Sequence, residues 1–176
     1  MLFIYRFITF FFYPFLIILI YLRKLLNKED KKRFKEKIFP SYFFPEKNLQ
    51  KKLIWFHAAS IGEVQSIIPI IEKLNDDRKN LEILITTVTL SAGNIIQKKL
   101  NNYTNIKHRY FPLDINFLVK KFLDAWKPEK IIFVDSEVWP NLIIEINKRK
   151  IPIILINGRI TKKTFYKWML VPKFAK

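Results

Sequence analysis

Five short runs of aliphatic and β-branched residues, LIWFHA, EILITTV, IKHRYF, KIIFVDS and PIILIN, alternate along this chain with stretches whose apolar residues recur at helical spacing. That alternation constrains the fold more than any other feature. Two parallel strands need a crossover of a dozen residues or more, and a helix supplies it. Strands and helices in this rhythm predict βαβ units and an α/β fold around a parallel sheet. IKHRYF is the weakest of the runs. The helical stretches are GEVQSIIPIIEKL, SAGNIIQKKL, INFLVKKFLDAW and PNLIIEINKR, then a basic, aromatic TKKTFYKWML. Ser91 is placed to cap the second helix and Asp114 the third. Pro140 suits the first turn of the fourth. Pro69, inside the first, predicts a distortion or a late start. No internal repeat interrupts the series.

A different pattern precedes it. Residues 2–22, LFIYRFITFFFYPFLIILIYL, are almost wholly apolar, and about 20 such residues cross a bilayer core as a helix. Arg6 lies near the end, where its head reaches the headgroups, and Pro14 kinks a membrane helix without abolishing it. The stretch is long and lacks a small-residue cleavage site, which argues against a signal peptide. The basic RKLLNKEDKKRFKEK that follows favours the cytoplasmic side and binds anionic headgroups. Residues 1–22 are therefore expected to be a membrane anchor helix. Residues 23–52 read as a basic juxtamembrane segment ending in a connector, and residues 53–176 as the α/β domain. Spanning the bilayer and lying in one leaflet both stay open.

The net charge is +17. Such an excess implies an anionic partner, nucleic acid or a phosphate-bearing membrane surface, unless lysines spread along the chain only keep it soluble. No nucleic-acid-binding signature is present, so anionic membrane lipids are the expected partner. With no cysteine, disulfides and thiolate metal sites are excluded.

In an open parallel sheet, ligands gather at the carboxyl ends of the strands. The segments leaving those ends are AASIGE, TTVTLSAG, FPLD, DSEVWPN and NGRI, and they hold all three glycines. In WFHAASIGEV, Ala58, Ala59, Ser60 and Gly62 are small enough for backbone N–H groups to face a ligand. Gly62 also permits backbone angles closed to other residues. Glu63 follows at a helix start, where the dipole favours its ionised form. It is either a general base or a helix-start acid that only complements the dipole.

Asp135 and Glu137 form an acidic pair, but no third ligand is placed to complete a hard-cation shell, so no metal site is expected. His57, at a buried strand end, reads as a hydrogen-bonded core histidine, and His108 as a surface residue within reach of phosphate. Trp139 is expected to cover a strand end, and Asn141 to cap a helix or touch ligand. Arg159 carries a fork suited to phosphate or carboxylate; an exposed arginine is the alternative. The last helix is either interfacial or packed on the core.

WFHAASIGEV resembles the signature near the start of bacterial 3-deoxy-D-manno-octulosonate (Kdo) transferases. The likeness extends to ITTVTLSAG, to RYFPLDINFLVKKFLDAWKPEKIIFVDSEVWPNLI, to IPIILINGRITKKTFYKW and, upstream, to NKEDKKRFKEK. It covers nearly the whole chain in order. The resemblance implies a membrane-associated, inverting, metal-independent glycosyltransferase of the GT-B type, with two Rossmann-like domains facing a cleft. Such an enzyme moves Kdo from CMP-Kdo to the lipid A precursor on the cytoplasmic side of the inner membrane, with no cofactor. It assigns Glu63 as general base on the acceptor hydroxyl and Asp135 and Glu137 as the second acidic motif. Ser60, Gly62, Thr86, Thr87, Asn157 and Arg159 become substrate-contacting residues.

Asp135 stands where the family has a glutamate, and a glycine usual near Ile38 is missing. The chain stops at Lys176, where family members continue into a second, donor-binding domain, so an amino-terminal fragment is expected, inactive alone. A membrane-tethered anion-binding module without catalysis and an inert truncated enzyme are the rival readings.

Overall fold

The computed structural model describes residues 2–45, 51–77, 80–135, 139–158 and Tyr166. Five strands, β1 (Lys52–His57), β2 (Leu81–Thr87), β3 (Ile106–Tyr110), β4 (Lys130–Val134) and β5 (Ile153–Ile156), form one sheet in the order β3-β2-β1-β4-β5. Every pairing is parallel. The order reverses between β2–β1 and β1–β4, which makes the carboxyl ends of β1 and β4 the topological switch point of a doubly wound sheet.

Both faces are covered, as a parallel sheet requires. On one face α3 (Ile61–Asp77) and α4 (Leu90–Leu100) bury Val64, Ile67, Ile71 and Ile96 against Phe56, Ile83 and Ile85. On the other, α5 (Asn116–Trp126) and α6 (Pro140–Lys148) bury Leu118, Phe122, Trp126 and Leu142 against Trp55, Leu84 and Phe133. Alternate residues of β1 therefore serve different cores: Trp55 one, Phe56 the other. Burying such a side chain contributes about 1.5–3 kcal/mol, so β1 is the sheet's main anchor.

Local expectations hold unevenly. Pro140 opens α6 as expected. Pro69 does not break α3, which runs through it; Pro69 and Gln65, whose carbonyl it leaves free, are both exposed, so water can take that carbonyl. Thr89, not Ser91, caps α4, its hydroxyl accepting from the Ala92 N–H at 3.3 Å. Asp114 does not cap α5. Its carboxylate reaches across to α6 and accepts from the N–H groups of Asn141 and Leu142, both at 3.0 Å.

The amino-terminal apolar segment is not the single helix expected. It forms α1 (Leu2–Phe11) and α2 (Tyr13–Leu25), bent by 55°. No single described helix is long and apolar enough to cross a membrane, although the bent pair is so by length and composition. Pro14 sits in the first turn of α2, where its missing N–H and its ring break the ladder from α1. Arg6 does not point to headgroups. It bonds Asn141 Oδ1 through Nε at 3.1 Å and Glu145 through Nη2 at 3.2 Å.

The segment read as a juxtamembrane connector is largely part of the domain. Phe34, Ile38 and Phe43 are buried, and a 3₁₀ turn, Phe34–Lys37, covers the free edge of β3. There the Glu36 carboxylate accepts from the Tyr110 N–H at 2.9 Å. An edge strand so covered cannot pair with another chain.

Candidate functional site

The turns leaving β1 and β2 are stitched together. The Ala59 carbonyl accepts from the N–H groups of Val88 at 3.4 Å and Thr89 at 3.3 Å. On this scaffold Ser60 and Glu63 pair as in a capping box, except that the carboxylate takes the N–H of Ala59, one residue before Ser60. The Glu63 carboxylate accepts from the Ala59 N–H at 2.7 Å and the Ser60 hydroxyl at 2.5 Å. Gly62, next to them in the first turn of α3, is exposed. It has no positive φ, which corrects the expectation of unusual backbone angles, and a Cβ there would meet nothing within 4 Å. What glycine provides is an open approach to the backbone beside Glu63.

Across the switch point, β4 is followed by Asp135 with φ 63° and β5 by Asn157 with φ 53°. Both occupy the left-handed region, which Asp and Asn tolerate better than most residues. Both chains thus turn sharply at the same sheet edge, and the Asp135 N–H donates to the Ile156 carbonyl at 3.0 Å. Glu137 and Arg159 lie outside the described residues, as does the last basic, aromatic helix apart from Tyr166, which is helical and exposed.

Thr86 and Thr87 are fully buried. The Thr86 hydroxyl accepts from Trp55 Nε1 at 2.8 Å and lies 2.8 Å from His57 Nδ1. His57 is thus the core histidine expected. In this arrangement both threonines hold strand ends in place instead of presenting hydroxyls at the surface. Asn141 is likewise buried, donating to the Asp114 carbonyl at 2.6 Å. Trp139 packs its ring 5.5 Å from Phe111, beyond the end of β3, and covers the strand ends as read. Among the described residues, no group of three or more His, Asp or Glu is arranged to hold a metal.

Sequence reasoning missed a buried charge network at the β2–β3 end of the edge. Lys37 is 5% exposed; its ammonium pairs with Glu29 and donates to the Val88 carbonyl at 2.8 Å. Burial pulls the Lys37 pKa down, against the pull of Glu29. Arg33 grips Glu36 with two bonds, at 2.8 and 3.0 Å, and donates to the His108 carbonyl at 2.7 Å.

His108 is not the surface residue expected. Its Nδ1 lies 3.1 Å from Arg33 Nη1, and its Nε2 2.9 Å from the Thr87 hydroxyl. A guanidinium only donates, so Nδ1 accepts and the ring proton sits on Nε2. Burial, then the charges of Arg33 and Arg109, push its pKa down to about 3. The signal for this network was the mixture of acids among the bases in NKEDKKRFKEK. A purely solvated basic face has no use for Glu29 and Glu36.

Comparison with known proteins places the chain in a family. The family model for 3-deoxy-D-manno-octulosonic-acid transferase (kdotransferase) matches residues 31–176. A probable mitochondrial 3-deoxy-D-manno-octulosonic acid transferase of Arabidopsis thaliana is 37% identical over 94% of this chain and 36% of its own length. The 3-deoxy-D-manno-octulosonic acid transferase of Rickettsia bellii is 34% identical over 94% of this chain and 38% of its own. The chain thus spans little more than a third of these relatives. Among solved structures, the UDP complex of S. aureus MnaA aligns with 74% of this chain and 40% of its own, at 16% identity and a TM-score of 0.47.

Proposed function

Since this chain belongs to the 3-deoxy-D-manno-octulosonic-acid transferase family, we propose that it is the amino-terminal, acceptor-side part of an inverting, metal-independent GT-B type glycosyltransferase. The whole enzyme moves Kdo from CMP-Kdo to the lipid A precursor at the cytoplasmic face of the inner membrane. The observation that carries the reading is Glu63, an acid on an open turn at the switch point of the sheet.

The chemistry follows from that position. The acceptor hydroxyl takes the place of the Ser60 hydroxyl as donor to Glu63 Oε1, while the Ala59 N–H keeps the other oxygen fixed. The acceptor oxygen bonds to the anomeric carbon of Kdo as its proton passes to Glu63. The bond from that carbon to the CMP phosphate oxygen breaks, and CMP leaves with the electron pair, on the face opposite attack. Asp135 and Asn157 lie on the β4–β5 side of the edge, where they would meet the sugar and its phosphate, with Glu137 and Arg159 each two residues further in sequence. Thr86 and Thr87 serve this site by fixing the strand ends.

The test is transfer from CMP-Kdo to the lipid A precursor by the whole enzyme carrying Glu63→Gln. A fall of about 10²–10⁴-fold with acceptor affinity retained is expected of a lost general base. A folded variant with near-normal turnover would leave Glu63 only its capping role. It would favour the anion-binding module or make Asp135 or Glu137 the next candidate.

We also propose that the amino-terminal segment and the exposed lysines hold the enzyme against anionic lipid, where its acceptor resides. The support is the row of exposed Phe, Ile and Leu side chains on α1 and α2, a contiguous apolar surface of the kind that marks protein or membrane interaction sites.

A further inference from the structure

We propose that α1 and α2 lie together in a single leaflet of an anionic phospholipid bilayer, bent and in plane, without crossing it. The amino terminus then stays on the same side as the α/β domain. This rests on the membrane reading above and adds its topology.

The two helices present one continuous inner stripe and one continuous outer stripe. Inward, Tyr5 donates to Asp114 at 2.9 Å and Arg6 pairs with Glu145. Tyr13 packs edge-on to the Phe117 ring at 5.2 Å, and Ile20 is buried against Phe34 and Ile38. Outward, Phe3, Phe7, Phe11 and Phe15 on both sides of the bend, then Leu22 and Leu25, are 51–80% exposed. The inner stripe ties the helix pair to the domain at both ends. A crossing would need to pull Tyr5 and Arg6 off their partners and carry a guanidinium into hydrocarbon, leaving Asp114 without its Tyr5 partner. Neither helix crosses alone: at 1.5 Å per residue the 10- and 13-residue helices reach about 15 and 20 Å, against a hydrocarbon core of about 30 Å, and the pair has the length only together.

Lipid suits the outer stripe better than a protein partner. None of those outer side chains bears a hydrogen-bonding group, whereas a protein interface carries about one hydrogen bond per 100–200 Å². Acyl chains need no matching shape or polar pairing. The stripe also ends beside exposed Lys28, Lys31 and Lys32, placed to meet anionic headgroups as an in-plane amphipathic helix does.

The chain has no cysteine, so a single spin label can be introduced at Phe7→Cys or, near the middle of the segment, at Phe15→Cys, outward positions whose loss leaves the inner stripe intact. The full chain is bound to vesicles of phosphatidylethanolamine and phosphatidylglycerol, and the depth of each label is read from its accessibility to oxygen and to a water-soluble nickel chelate. Both labels are expected at similar, shallow depth, within about 5 Å of each other. A crossing would carry position 15 about 12 Å deeper than position 7, to the middle of the bilayer. Binding with the labels at such different depths would overturn the single-leaflet arrangement and leave the membrane reading standing. No binding to the vesicles would overturn both. Dipolar coupling between labels on different copies, without vesicles and unchanged by adding them, would show a second copy on the outer stripe and overturn the proposal.

Discussion

The Ser60 hydroxyl donates to one oxygen of Glu63 at 2.5 Å, and the N–H of Ala59, four residues before Glu63, donates to the other at 2.7 Å. The same pair therefore starts α3 and presents the candidate base, and the two roles separate by substitution. Ser60→Ala removes a capping side chain and should cost about 0.5–2 kcal/mol. Glu63→Gln keeps an acceptor for the Ala59 N–H and should cost less, yet lose far more rate. Urea unfolding and Kdo transfer measured on both variants check that the orders are opposite. Equal losses of rate would mean that the turn's shape, not the carboxylate's basicity, is what counts.

Asp114 accepts from two N–H groups of α6 and from Tyr5. Burial pushes its carboxyl pKa up, with these hydrogen bonds pulling the other way. Asp114→Ala strands buried donors, each worth about 1–3 kcal/mol, so a loss of about 2–4 kcal/mol is expected. Asp114→Asn keeps one acceptor oxygen and should lose about half of that. Chemical denaturation measures both, and an Ala variant as stable as the parent would remove Asp114 from the account of how α6 is held.

His108 makes stability fall with acid. Its folded pKa of about 3 lies below the ordinary 6.5, so the unfolded chain binds the proton more readily. Stability from this site is complete above about pH 6.5 and declines as pH drops toward 3, by up to about 1.4 kcal/mol per pH unit. Glu145 adds a second decline. Burial would raise its carboxyl, but hydrogen bonds from Arg149, Lys148 and Asn116 prevail and hold it at about 2, so its share is lost between about pH 4.5 and 2. His108→Gln should flatten the stability profile between pH 6.5 and 4.5. Parallel profiles for parent and variant there would show that folding does not shift the titration of the ring.

Gly93 has a simpler constraint. A Cβ on it would stand 2.6 Å from the Tyr110 hydroxyl oxygen and 2.9 Å from two ring carbons. Tyr110 is 1% exposed and cannot swing away freely. Gly93→Ala should destabilise by about 1–3 kcal/mol although alanine favours helices. Tyr110→Phe should relieve only part of that, since the ring carbons clash too; a double-mutant cycle on thermal melting reads the coupling.

The sheet was legible because its evidence is periodic: β-branched runs and helical stripes keep their rhythm whatever they pack against. The Glu63 turn was legible for the same reason, as a local spacing of Ser60 and Glu63. What escaped were residues whose partners are distant. Asp114 reads as a cap for the nearest helix, yet serves α6, 27 residues on. Lys37 and Arg33 read like their solvated neighbours, because charge in a sequence carries no direction. Thr86 looks like a ligand-facing hydroxyl at a strand end until Trp55 and His57 are seen to flank it. Pro14 marked the kink, but only Arg6's pairing with Glu145 says which way the bent segment faces.

That pairing also sets an order in time. Arg6 and Glu145 lie 139 residues apart. At about 5–20 residues per second, the ribosome makes the guanidinium about 7–28 s before its carboxylate. Throughout that interval α1 has no domain to rest on. The first part of the chain to be made is thus fastened late, its Arg6 contact waiting for β4 and α6 to be synthesised. Contacts at such separation close slowly. An early encounter with lipid would therefore shield the apolar segment for as long as the nascent domain cannot.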